Sequence, residues 1–201
     1  MNTMTNTPAA PTDAAPEDAD ALVLAALAAD AQGDSERSTT LLQRSLALRH
    51  FNPHAHYLLG TAFAEAGRNG DAVLHMTTAV EQAPQLAEAR LQLGLLWLTL
   101  DNPATAVAVL SPLTTLPADS ALHQFGAALV CVGEGRVEAA CAALRAGLAI
   151  GCGNAPLMGD MRVLLERLEQ NSAGDATAQA ELRTLQHGMA ISAYSGGSGD
   201  R

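Results

Sequence analysis

Residues 53–86 read PHAHYLLGTAFAEAGRNGDAVLHMTTAVEQAPQL, and residues 87–118 read AEARLQLGLLWLTLDNPATAVAVLSPLTTLPA. Gly60 and Gly94 occupy matching places in the two stretches and lie 34 residues apart. Counting back by the same interval from Gly60 gives Ala26, another small residue. Self-similarity at a fixed period of this size is typical of repeat proteins. The two stretches therefore predict consecutive copies of one structural unit.

The residues that recur within each unit suit two antiparallel helices. Small side chains at Gly60 and Ala72 allow the helices to approach closely, while Phe63 and Met76 fill the space beside them. The matched positions are Leu59, Gly60, Phe63, Ala72 and Met76 in the first stretch, and Leu93, Gly94, Trp97, Ala106 and Leu110 in the second. Each helix pair leaves one apolar face uncovered, so the pairs are expected to stack on one another.

The first stretch resembles a tetratricopeptide repeat through these residues together with Ala79 and Pro84. The second resembles the same family but has Leu113 where the family favours a small residue, and its closing proline, Pro117, comes one residue early. Pro112 falls inside the predicted second helix, where it should kink or end that helix. The resemblance implies an all-α, right-handed superhelical solenoid of antiparallel helix pairs.

About four units are predicted, with helices that cap the C-terminal end. The fourth unit is placed by Phe125 and Gly126, with one extra residue in its turn. Residues 1–17, rich in Pro, Ala and acid, and residues 191–201, rich in Gly and Ser, are expected to be disordered. The units span about 19–52, 53–86, 87–118 and 119–151 within a solenoid of 18–170; a cap helix follows at 155–170 and a further helix at 171–190.

Composition excludes several classes of function. The 201 residues carry 21 acids against 11 bases, a formal charge of −10, and no basic stripe. Nucleic acid and anionic membrane surfaces are therefore poor partners, because both attract basic proteins. No apolar run is long enough to cross a bilayer. The three cysteines, Cys131, Cys141 and Cys152, are sparse and odd in number, which favours a reducing, cytoplasmic location.

No motif in the sequence predicts catalysis, a cofactor or a metal. His50, His54 and His56 form the one histidine cluster, but residues two apart on a helix face away from one another, so solvated turn histidines are the preferred interpretation. Residues 151–154, Gly-Cys-Gly-Asn, lack the Lys and the preceding strand of a phosphate-binding loop. Cys131 and Cys141 are expected to be small core residues.

The resemblance implies that the first helices of the pairs line a concave groove that takes a peptide or helix. By helical phase, the groove-facing residues are Val23, Leu27, Tyr57, Thr61, Leu91, Leu95, Leu98, His123 and Ala127. This set is apolar within an acidic chain, so the expected ligand is an amphipathic or hydrophobic protein segment, with basic flanks as an option. The alternative is a groove filled by neighbouring helices or by residues 175–190.

The leading hypothesis is a non-catalytic adaptor or scaffold that assembles a protein complex. An escort chaperone for a hydrophobic client, resembling those of bacterial secretion systems, is the alternative, and a cofactor-dependent enzyme is a remote third. Incompletely capped repeats also allow self-association, because uncovered ends can stack.

Overall fold

A computed structural model describes residues 18–171, and this part of the chain is helical throughout with no strand. The helices are α1 (Ala19–Ala31), α2 (Ser35–Leu48), α3 (Pro53–Glu65), α4 (Asn69–Gln82), α5 (Ala87–Thr99), α6 (Pro103–Leu110), α7 (Ala121–Gly133), α8 (Val137–Ile150) and α9 (Ala155–Asn171). Successive helices pack as antiparallel pairs, and each pair packs on the next, which makes an all-α repeat solenoid. The predicted lead, the helix at 171–190 and the C-terminal tail lie outside the described residues, apart from Asn171 at the end of α9.

Asparagine followed by proline begins two of the helices. The Asn52 side chain accepts a hydrogen bond from the Ala55 amide at 3.2 Å, and the Asn102 side chain accepts one from the Thr105 amide at 3.2 Å. The proline that follows each asparagine has no amide hydrogen to leave unpaired in the first turn. Local sequence thus fixes where α3 and α6 begin.

The turns within the pairs repeat every 34 residues. Gly33, Gly67, Asp101 and Gly135 all have positive φ, at 78°, 71°, 59° and 73°. Glycine suits this left-handed conformation, and aspartate is one of the few other residues that adopt it. The register of the solenoid is therefore fixed by its turns.

This spacing corrects the alignment of the fourth unit. The residue that corresponds to Gly60 and Gly94 is Ala128, because it lies seven positions before the turn at Gly135, just as Gly60 lies seven before Gly67. Gly126 is two positions out of phase, and the turn contains no extra residue. A side chain at Gly126 would instead meet Leu113 of the preceding unit.

Close approach between paired helices explains the signature glycines. A Cβ atom added at Gly60 would lie 2.5 Å from Met76 Cγ, and one at Gly94 would overlap the Leu110 side chain. Most of the other signature residues are buried: Leu59, Ala72, Ala79, Leu93, Ala106 and Phe125 are at most 2% exposed, and Phe63 is 6% exposed. The buried core has two parts, one formed by helices α1 to α5 and the other by helices α5 to α9. Trp97 is half-buried and packs against both parts, while Pro84 is exposed.

Pro112 ends the second helix of the third unit. Helix α6 stops at Leu110, and a 3₁₀ turn from Ser111 to Thr115 continues the chain. Leu113, the departure from the family pattern, is 2% exposed and belongs to the core. The tightened turn thus places a large side chain where a regular helix would need a small one.

Helix α9 covers the last pair. It follows α7 at the repeat spacing, starting at Ala155 where α7 starts at Ala121. Its buried residues are Leu157, Met161, Leu164 and Leu168, and its exposed residues include Arg162, Glu166 and Gln170. This amphipathic pattern is what a capping helix requires.

Candidate functional site: the predicted groove face

The predicted groove face, the nine residues from Val23 to Ala127 named in the sequence analysis, is largely buried. Val23, Tyr57, Thr61, Leu91, Leu95 and Leu98 are between 1% and 7% exposed. Leu27, His123 and Ala127 are half-buried. The core formed by helices α5 to α9 includes Leu91, Leu95 and Leu98, so the first role of these leucines is to pack the solenoid.

The corrected register changes the fourth unit's part of this face. Phe125 and Leu129 correspond to Leu91 and Leu95, and both are fully buried. His123 instead donates a hydrogen bond from Nδ1 to the Leu116 carbonyl oxygen at 2.9 Å, against the preceding unit. His123 and Ala127 therefore lie on the stacking side of α7, away from the phase of the other seven residues.

A narrow cleft remains where α3, α5 and the start of α9 meet. Its lining is Tyr57, Glu88, Leu91, Gln92, Asn154 and Leu157. The cleft is shallow, because its empty space of about 160 Å³ includes open solvent, and it does not enclose a small-molecule pocket. Glu88 and Asn154 are half-buried and form its reachable rim, while Tyr57 and Leu91 form its apolar floor.

The structure also brings together a histidine pair that sequence reasoning missed. His56 Nδ1 on α3 lies 3.0 Å from His75 Nδ1 on α4, and Phe63 packs against the His75 ring with centroids 5.3 Å apart. Burial lowers the pKa of both histidines, and the His56 charge lowers that of His75 further. His56 is thus a packed residue of the α3–α4 interface, not the solvated turn histidine that the sequence suggested.

The family follows from this repeat geometry together with comparison to known proteins. A tetratricopeptide repeat model matches residues 23–87 and again 57–111. Residues 23–111 are tetratricopeptide repeats. A search of curated proteins finds no match.

Solved tetratricopeptide repeat structures share the fold. TTC0263, a thermophilic repeat protein from Thermus thermophilus, is 19% identical with a TM-score of 0.63, covering 88% of this chain and 91% of that one. MamA from Desulfovibrio magneticus RS-1 is 16% identical with a TM-score of 0.56, covering 86% and 97%. YrrB, a repeat protein with an unusual peptide-binding site, is 15% identical with a TM-score of 0.55, covering 87% and 90%. At these identities the likeness shows the fold alone.

Tetratricopeptide repeat proteins are in general protein-interaction scaffolds. Cys131 and Cys141 are buried as predicted, and Cys152 is half-buried. Between residues 18 and 171, no cluster of three or more His, Cys, Asp or Glu side chains could hold a metal ion. No helix in that same range is long and apolar enough to span a membrane.

The described helices also contain a carboxylate that is shielded from solvent without a hydrogen-bond partner. Asp160 on α9 is half-buried, and its Oδ2 is shielded from solvent with no hydrogen-bond partner in the described structure. Burial raises the pKa of Asp160 from 3.8 to about 7. Its counterparts at the repeat spacing are Leu58, Gln92 and Gly126, so it lies on the face with which a first helix packs against the preceding pair.

Proposed function

We propose that this repeat protein is a non-catalytic adaptor that holds an apolar segment of another protein across the cleft between α3, α5 and α9. The observation that carries this proposal is the cleft itself, which has an apolar floor and an acidic and amide rim. The ligand contacts the half-buried rim residues Glu88 and Asn154, above the core residues Tyr57 and Leu91, which are 2% and 1% exposed. Asn154 supplies an amide NH2 group that can hydrogen-bond the ligand backbone, while its Oδ1 already accepts a hydrogen bond from the Leu157 amide at 3.0 Å.

The negative charge of the protein favours ligands that carry basic residues beside an apolar anchor. Glu88 is the acidic residue at the rim, and the whole chain carries a formal charge of −10. A segment with Lys or Arg beside its apolar anchor is therefore attracted, and an acidic segment is repelled. The peptide-binding site described for YrrB, which has the same fold, supports a peptide ligand here.

The test is selection of random displayed peptides on the full chain. Wild type should enrich peptides that have an apolar residue next to basic residues. Glu88→Arg should weaken binding of those peptides at least about tenfold, since it replaces attraction by repulsion at close range. Glu138→Arg, on the exposed side of α8, makes the same change in net charge and should leave binding unchanged.

Two outcomes contradict the proposal. One is that no peptide is enriched, and the other is equal loss of binding in the Glu88 and Glu138 variants, which would indicate a non-specific charge effect. The alternative of a groove filled by residues 175–190 has its own variant, Leu182→Glu in the full chain. If that segment competes with the ligand, this substitution should tighten peptide binding.

A further inference from the structure

Within residues 18–171, the first helix of the solenoid leaves one apolar face uncovered. Leu24 is 68% exposed, which makes it one of the most exposed large hydrophobic residues in the described chain. Ala21, Ala25 and Ala28 are exposed on the same side of α1. No charged residue occurs on this helix between Asp20 and Asp30. We call these four residues the α1 open face.

The repeat itself shows what this face is built to contact. In α3 the residues 34 positions later are Ala55, Leu58, Leu59 and Ala62, of which the first three are at most 8% exposed and the last is half-buried. In α5 the corresponding residues are Ala89, Gln92, Leu93 and Leu96, all at most 7% exposed. Helix α3 packs on α2, and Leu58 and Ala62 share a cleft with Leu27 and Leu42 of the preceding pair. The α1 open face is therefore the inter-repeat stacking face, without a preceding repeat on it.

The stretch immediately before α1 does not have the sequence of such a repeat. It carries Pro8, Pro11 and Pro16 among threonines and acids, with no apolar periodicity. The other end of the described helices is also a poor cover. Helix α9, the last helix of the described residues, exposes Arg162, Glu166 and Gln170. Head-to-tail stacking would thus place an apolar surface on a charged one.

We propose that the α1 open face pairs with the same face of a second copy of this chain, about a two-fold axis close to Leu24. A surface of this kind is complementary to itself, because each Leu24 packs among the alanines of the opposite helix. The small side chains of Ala21, Ala25 and Ala28 let the two helices approach closely. Asp20 already pairs with Arg49, so one acidic end of each helix is partly neutralised.

The dimer is expected to be weak and dependent on salt. One helix face buries less than the roughly 1,200–2,000 Å² of a standard stable interface, which places the dissociation constant on the order of 10–1,000 µM. Two copies of an acidic chain also repel one another, and salt screens that repulsion. Dimerisation should therefore strengthen as NaCl is added.

The test is sedimentation equilibrium of the full chain from about 10 µM to about 1 mM, in low and moderate salt. The mean mass of wild type should rise with concentration and should not exceed the mass of a dimer. Leu24→Glu should weaken dimerisation at least about tenfold, since it brings two carboxylates together at the axis. Leu74→Glu is the matched control, because Leu74 on α4 is 63% exposed but lies outside the α1 open face.

A second measurement locates the axis. In a Cys152→Ser background, which removes the half-buried thiol, Leu24→Cys should give a cross-linked dimer with a short bis-maleimide and Leu74→Cys should not. A monomer at every concentration, or oligomers that keep growing, would overturn the proposal. A dimer that survives Leu24→Glu would also overturn it. So would a Leu24→Glu variant that loses thermal stability as a monomer, because another part of the same chain would then cover Leu24.

Discussion

Replacing Gly60 by alanine tests whether close helix approach holds each repeat together. The added Cβ would lie 2.5 Å from Met76 Cγ, 3.1 Å from the Met76 amide nitrogen and 3.3 Å from the Ala72 carbonyl oxygen. Carbon atoms in good contact are about 3.5–4.0 Å apart. The Met76 side chain has rotatable bonds, but the two backbone atoms belong to α4 and move only if the helices separate.

Two effects of opposite sign decide the result. Alanine within a helix is favoured over glycine by about 1 kcal/mol. Overpacking a filled interface costs about 1–3 kcal/mol, and backbone contacts place this case in the upper half of that range. Gly60→Ala should therefore lower the free energy of unfolding by about 1–2 kcal/mol. Gly70→Ala on α4 meets no atom within 4 Å and should instead be neutral or stabilising.

Urea unfolding followed by far-UV circular dichroism measures both variants, and an unchanged slope would show that stability alone has shifted. A double-mutant cycle with Met76→Ala identifies the cause. If the Met76 side chain carries part of the clash, Gly60→Ala should cost less in the Met76→Ala background. A Gly60→Ala variant as stable as wild type would refute the argument, because the two helices would then have room to spare.

Three further predictions concern individual side chains. Because the folded pKa of Asp160 is raised to about 7, the folded state binds its proton more tightly than the unfolded state, and stability should fall as pH rises from about 4 to about 7. Urea unfolding at pH 8 should find Asp160→Asn more stable by about 1–2 kcal/mol, a figure reduced for the partial exposure of the side chain, and nearly equal to wild type at pH 4. The lowered pKa values of His56 and His75 make protonation favour unfolding, so stability present above pH ~6.5 should be lost as pH falls below it. The thermal midpoint of a variant with both residues changed to Gln should depend less on pH between about 7.5 and 5.5 than that of His54→Gln. Asp101→Ala should be less stable than Asp101→Gly by about 1 kcal/mol, because alanine is strained at a φ of 59°.

The repeat unit and its contacts were predictable because they rest on local rules. Residue size at Gly60 and Met76 decides how closely two helices approach, and proline chemistry decides that α6 stops before Pro112. Register was harder to predict in the fourth unit. Phe125 and Gly126 resemble Leu59 and Gly60 in pattern, but the turn at Gly135 shows that Ala128 is the true counterpart. A turn that needs a positive φ restricts the residue type more strictly than a close helix contact does. The turns therefore identify equivalent positions in the repeats more reliably.

The groove and the histidine pair depended on tertiary structure. Leucines at 91 and 95 satisfy the pattern of a ligand surface and that of a core equally well, because both need apolar residues at helical spacing. Only packing distinguishes the two, and packing makes them core. For His56 and His75 a signal was available, since an antiparallel pair folded about Gly67 brings positions on either side of that turn together.

Helices α1 and α9 each carry an unexpected residue at the same repeat position. Leu24 and Asp160 occupy the same repeat position, 136 residues apart, each two whole periods away from Gln92. The leucine is exposed, and the carboxylate is partly buried without a partner. Packing within one chain would favour the reverse, because burying leucine stabilises a fold while burying an unpaired carboxylate costs free energy. Packing among residues 18–171 therefore does not explain either residue. The dimer proposed above would account for an exposed Leu24, and the two ends of the described helices are therefore the first places to test for partners.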